Sequence, residues 1–237
     1  MSNKKQPAWL EYILIFLLPI LGMALGVGVT FLLGMSKSDY SNLVINLFFL
    51  MAGILLMRTF EFSKEDVGLK VFPAQMKAHT FLSLGIFVLY LLFYIFVIRI
   101  SSLKPFSTAM LWGLLTYLVV VVAEELYFRG ILYAFIQKRF SERAALVVSS
   151  LVFGLFHASQ GLRGILLQTA TGWLWGSVRY STGMLFLVIF PIHFAYNAIW
   201  LLFEGNWSNP PIWATYALPV VEFLLGFAIL LYANRKK

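Results

Sequence analysis

Glu124, Glu125 and Arg129 stand in the apolar stretch VVVVAEELYFRG. His157 stands in FGLFHASQ, and His193 with Asn197 in FPIHFAYNAIW. Two carboxylates, two imidazoles and an amide are groups that move protons and hold a developing oxyanion. An ionisable side chain at the centre of a spanning helix costs about 2.5–3.5 kcal/mol on the insertion scale. A concentration of such groups in apolar sequence therefore marks a functional site by default.

Helical spacing sorts these groups. Glu125 and Arg129 are four apart, so they share a helix face and pair in the favourable order, acid before base. Glu124 points about 100° away around the same helix. It is the carboxylate without a local counter-charge. A short polar turn follows at 140–143. Glu124 lies about 16 residues before its centre and His157 about 16 after, so at about 1.5 Å per residue they stand level on antiparallel helices. A glutamate and a histidine at one height can hold and activate a water between them. His193 and Asn197 are also four apart and share a face. Aimed at a carbonyl oxygen, they would stabilise the oxyanion of amide hydrolysis.

The elements that must hold these residues are apolar helices. Of the 237 residues, 61% are hydrophobic and 12% charged, against about 25% charged in an ordinary soluble domain. Eight segments approach the about 20 apolar residues of a spanning helix. They run over 9–33, 41–60, 80–100, 106–137, 143–159, 162–180, 183–203 and 212–233. They are continuously apolar, which a barrel strand is not. The expectation is an all-α polytopic membrane bundle of about eight transmembrane helices, a single domain over 1–237 with its core at 106–203. The first run is too long for a cleaved signal peptide and reads as a retained span. The polar connector at 61–78 is expected to lie on the membrane surface on the cytoplasmic side. Gly22–x–x–x–Gly26 and Gly172–x–x–x–Gly176 permit close helix packing.

The net charge of +8 reads as topology. With the N-terminus inside, the alternate connections place Lys4, Lys5, Arg58, Lys64, Lys70, Lys77, Arg129, Lys138, Arg139, Arg143, Arg179, Arg235, Lys236 and Lys237 inside. Only Lys37, Arg99, Lys104 and Arg163 fall outside, as the positive-inside rule requires. Both termini are then cytoplasmic, and the expected location is the cell membrane. A nucleic-acid partner is not expected. Cysteine is absent, which excludes disulfides, a thiolate nucleophile and cysteine-bound zinc.

The ordered set Glu124–Glu125–x–x–x–Arg129, Phe153–x–x–x–His157 and His193–x–x–x–Asn197 resembles the three-motif signature of the CAAX protease and bacteriocin-processing (Abi) family. The stretch EDVGL at 65–69 is similar to a connector in many of its bacterial members. The resemblance implies an all-helical membrane endopeptidase that uses a glutamate-activated water and no cofactor. By position it implies Glu124 as the base, His157 as its assistant, and His193 with Asn197 as the oxyanion site. Glu125 and Arg129 would be supporting residues. The expected partners are the lipid bilayer and a membrane-associated or lipidated (CAAX-type) protein or peptide. Oligomeric state is not legible.

Each motif alone has a structural reading: an ion pair for Glu125–Arg129, interhelical hydrogen bonds for His157, His193 and Asn197. Their joint occurrence carries the catalytic reading. Two alternatives stand beside it. Glu124, His157 and His193 could ligate a zinc with one open position, although no HExxH pair is present. The bundle could also be a non-enzymatic immunity or scaffold protein. Glu222, inside the last apolar run, has no partner that the sequence can supply.

Overall fold

The computed structural model describes residues 8–35, 40–205 and 211–235. Lys4, Lys5, Lys37, Lys236 and Lys237 of the orientation count lie outside them. Eight helices form among the described residues, each within a few residues of an apolar run. They are α1 (Ala8–Leu32), α2 (Ser41–Thr59), α3 (Pro73–Phe93, extended by a π turn at Tyr94–Ile98), and α4 (Thr108–Arg139). Then follow α5 (Glu142–Phe156), α6 (Gly161–Thr182), α7 (Phe186–Leu202) and α8 (Ala214–Asn234). No strand forms among the described residues beyond one isolated bridge, Leu103 with Phe203. The all-α membrane bundle is therefore the fold.

The number of spans is smaller than eight by length and composition. α1, α2, α3, α4 and α8 are long and apolar enough to cross a bilayer. α5 and α6 meet that test only together, and α7 is shorter. The reason is visible at His157. It caps the C-terminus of α5, and a turn at Ala158–Gln160 leads straight into α6. The two arms then fold back on each other. Thr169 sits beside Gly154, Ser150 beside Gly172 and Leu146 beside Gly176, each so near that a Cβ on the glycine would meet it within about 3.1 Å. α5 and α6 are thus an antiparallel hairpin stitched by small residues. Gly22 and Gly26 do the same for α1 against Ala52 and Ile45 of α2.

Local signals start and stop the elements around the site. Ser107 caps α4 by accepting from the Met110 amide, and Ser141 caps α5 by accepting from the Ala144 amide, satisfying otherwise orphaned donors. Pro73 opens α3 at a position where its missing N–H costs nothing.

The connector differs from its expectation. It is inserted into the basic end of the bundle, with Val67 fully buried and Phe62 nearly so. Asp66 accepts from the amide and hydroxyl of Ser63 and pairs with Lys138 of α4 at 2.9 Å. Arg179 of α6 donates to the Asp66 carbonyl at 3.0 Å, and the Leu185 amide donates to the Gly68 carbonyl at 2.7 Å. A polar backbone that makes these bonds is better satisfied in the bundle than on a lipid surface. Arg129, counted with the inside charges, is instead fully buried in the core.

Gly68 has φ +74°, and a Cβ there would lie 2.5 Å from Nε of Arg179. Gly68→Ala is expected to cost about 1–3 kcal/mol and to expose the connector to protease. Gly28→Ala, which meets open space, is expected to change neither; melting in detergent and limited proteolysis read both. Burial alone would raise the Asp66 carboxyl, but Lys138 and Ser63 outweigh it and hold the group below the ordinary carboxylate range. A depressed folded value means that this contribution is present above the unfolded carboxylate range and lost as pH falls through the folded one. The acid melting curve of Asp66→Asn should therefore converge on that of the wild type only at the acid end.

Candidate active site

The site lies where α4, the tip of the α5–α6 hairpin and α7 meet. Two of these elements carry a π segment there, at Leu126–Leu132 and at Ile189–Phe194. Such wide turns are rare and recur at functional sites. Glu124 and Glu125 immediately precede the first, and His193 lies within the second.

Glu125 and Arg129 are both fully buried and joined at 2.9 Å from Nη1 to Oε1, as their spacing predicts. The guanidinium also lies over the Phe153 ring, 4.0 Å from its centroid, with Trp175 at 5.6 Å. Cation–π contact is strongest where water is excluded. Phe153, the first residue of the second motif, thus has two tasks. Its ring covers Arg129, and its carbonyl accepts from Nδ1 of His157 at 2.8 Å. That bond fixes the proton on Nδ1 and leaves Nε2 of His157 as an acceptor.

His193 departs from its expected place. Its Nδ1 lies 2.8 Å from Oε1 of Glu125, and its Nε2 lies 3.8 Å from Oε2 of Glu124. A carboxylate can only accept here, so Nδ1 carries the proton and the Nε2 lone pair faces Glu124. The imidazole sits between both glutamates and belongs to a chain Arg129–Glu125–His193. A helical wheel of α4 alone does not contain that link. Among the described residues no direct hydrogen bond joins Glu124 to His157. Glu124 keeps some exposure, 17% of its side chain, while Glu125 has none. No group of three His, Asp or Glu side chains is gathered to hold a metal among the described residues.

Asn197, one turn beyond His193, faces a cavity of about 530 Å³. Its wall includes Tyr117, Gln160, Arg163, Gln168, Tyr196 and Trp200. Of the candidate site residues, Asn197 alone is among those lining it.

Behind His193 stands a polar network that sequence reasoning missed. The Trp175 ring packs against His193 with centroids 4.2 Å apart. Trp175 Nε1 donates to the Tyr90 hydroxyl at 3.1 Å, which donates to Oε1 of Glu222 at 2.5 Å. The Thr171 hydroxyl lies 3.0 Å from both oxygens of Glu222. Glu222, 1% exposed, thereby has its partners. The only available signal was an isolated acid in an apolar run. Its partners sit on α3 and α6, and no spacing rule reaches that far.

An all-helical membrane bundle with a buried polar cluster at its centre defines the class of protein. Residues 105–199 match the family model described as Type II CAAX prenyl endopeptidase Rce1-like. The match spans all three motifs, and over these residues the chain is similar to the family that they resemble. No curated protein and no solved structure matches significantly.

Removing one partner of a buried hydrogen bond strands the other, at about 1–3 kcal/mol. Tyr90→Phe and Glu222→Ala should each lower the melting temperature in detergent. Their double variant should fall short of the sum of the two losses, because both break one chain.

Proposed function

We propose that this protein is an intramembrane glutamic endopeptidase that hydrolyses a peptide bond of a membrane-associated substrate with a water activated at Glu124. The observation that carries this reading is the arrangement of His193 between two glutamates, with Nδ1 tied to Glu125 and Nε2 turned to Glu124.

Glu124 accepts a proton as the water attacks the carbonyl carbon. His157 offers Nε2 as an acceptor and steers the same water. As the C–O bond forms, the carbonyl oxygen becomes an oxyanion. The side-chain amide of Asn197 donates to it. His193 donates only once Nε2 holds a proton, and Glu124 is the group placed to hand one over after a shift of about 1 Å toward ordinary hydrogen-bond length. Glu125 then faces an imidazolium and stabilises it, while Arg129 holds Glu125 in place. The same proton is available for the leaving amine when the C–N bond breaks. The donor thus appears as the charge it must stabilise develops, which is the requirement for differential transition-state binding.

The test is cleavage of a fluorogenic CAAX-type peptide by the purified chain in detergent. A positioned general base contributes about 10²–10⁴-fold, so Glu124→Gln should lose that much of kcat while substrate still binds. His157→Ala and Asn197→Ala should lose less, and Glu125→Gln should lower kcat without raising KM in proportion. Full turnover in Glu124→Gln, or activity that follows added zinc and disappears with a chelator, sinks the proposal.

A further inference from the structure

We propose that Trp175 is a positioning residue for His193, and that Tyr90 and Glu222 hold Trp175 to that task. The effect on turnover rests on the peptidase reading above; the orientation of His193 does not.

Among the described residues, the His193 side chain has one hydrogen bond. Its Nδ1 lies 2.8 Å from Oε1 of Glu125, while its Nε2 stands 3.8 Å from Oε2 of Glu124, beyond hydrogen-bond length. A ring tied at one atom keeps some freedom to swing, because the terminal torsion of histidine is broad. A swing moves Nε2, the atom that has to meet Glu124. The indole of Trp175 opposes it, with centroids 4.2 Å apart and the two planes at 41°. Trp175 and His193 are both buried.

The direction of the hydrogen bonds fixes the indole in turn. Nε1 of Trp175 is a donor only, and it donates to the Tyr90 hydroxyl at 3.1 Å. That hydroxyl has one proton, which goes to Oε1 of Glu222 at 2.5 Å. Its lone pairs are then left for the indole. The Thr171 hydroxyl lies 3.0 Å from both oxygens of Glu222. Thr171 and Trp175 are four apart on α6 and share a face. Glu222 of α8 therefore grips α6 twice, directly at Thr171 and through Tyr90 at Trp175. Apolar groups of the same shape could replace such partners at little loss of stability. They could not fix the plane of one ring.

Trp173 supplies a matched control. It precedes Trp175 by two residues, about 200° around α6. Its Nε1 donates to the Phe223 carbonyl of α8 at 3.1 Å, and its ring stacks on Phe223 with centroids 5.2 Å apart. It joins the same two helices by the same kind of bond, on the other face of α6.

Tyr90→Phe removes the hydroxyl that receives the indole proton, and Glu222→Leu, the second variant if Tyr90→Phe does not fold, removes the terminal acceptor. Glu222→Gln keeps an acceptor for Tyr90. A misplacement of 1 Å costs about 10²-fold, so Tyr90→Phe and Trp175→Phe should lower kcat by about 10–10²-fold with KM unchanged. Glu222→Gln should stay near the wild type, and Trp173→Phe should lower the melting temperature without lowering kcat. The chain has three histidines, so NMR of protein carrying isotope-labelled histidine reads three imidazoles, and His193→Gln identifies one of them. Tyr90→Phe should move the ring signals of His193, and Trp173→Phe should not. Unmoved His193 signals in folded Tyr90→Phe or Glu222→Leu overturn the inference, and so does an equal loss of kcat in Trp173→Phe. The signals need no turnover. If the wild type cleaves no peptide, moved His193 signals uphold the positioning while the peptidase reading fails.

Discussion

An arginine buried without exposure in a membrane protein must be neutralised where it sits, and Arg129 is neutralised by Glu125 and by aromatic rings. Much else depends on that one constraint. Once Glu125 is committed to Arg129, its remaining acceptor capacity fixes Nδ1 of His193 and so the face that His193 shows to Glu124. Phe153 lies over the guanidinium, which sets the height of α5 against α4, and its carbonyl holds His157 one turn further on. A buried ion pair is weak evidence for stability. Here its larger effect is to leave few ways for three helices to pack.

The same logic extends outward. His193 is held on one side by Glu125 and on the other by the Trp175 ring. Trp175 is held by Tyr90, and Tyr90 by Glu222. Donors point along this chain toward a terminal carboxylate, which Thr171 also satisfies. The network links α3, α6 and α8 to His193 of α7, so the site is braced by three helices that contribute no candidate site residue. Small residues let the hairpin arms close on each other, and the hairpin turn carries His157 at its tip. That turn is why α5 does not form a span of its own.

The two ends of the bundle are built differently. The connector is bound into one end by Asp66, Gly68 and Arg179. The other end is walled by short segments around a cavity.

The sequence by itself determined that the chain is helical and membrane-embedded, because long apolar runs in lipid have one way to satisfy their backbone. It determined the Glu125–Arg129 pair, because that pair follows from rise and rotation along one helix. It also carried the ordered motifs of the family. Tertiary structure alone decided that His193 stands against Glu124 and Glu125, that Glu222 ends a chain through Tyr90 and Trp175, and that the connector fills one end of the bundle. The physical reason is separation: His193 is 68 residues from Glu125, and Glu222 is 132 from Tyr90. Helical periodicity orients side chains only relative to their own helix. Which faces meet is decided by packing between helices, and here that packing brings His193 to the buried Glu125–Arg129 pair.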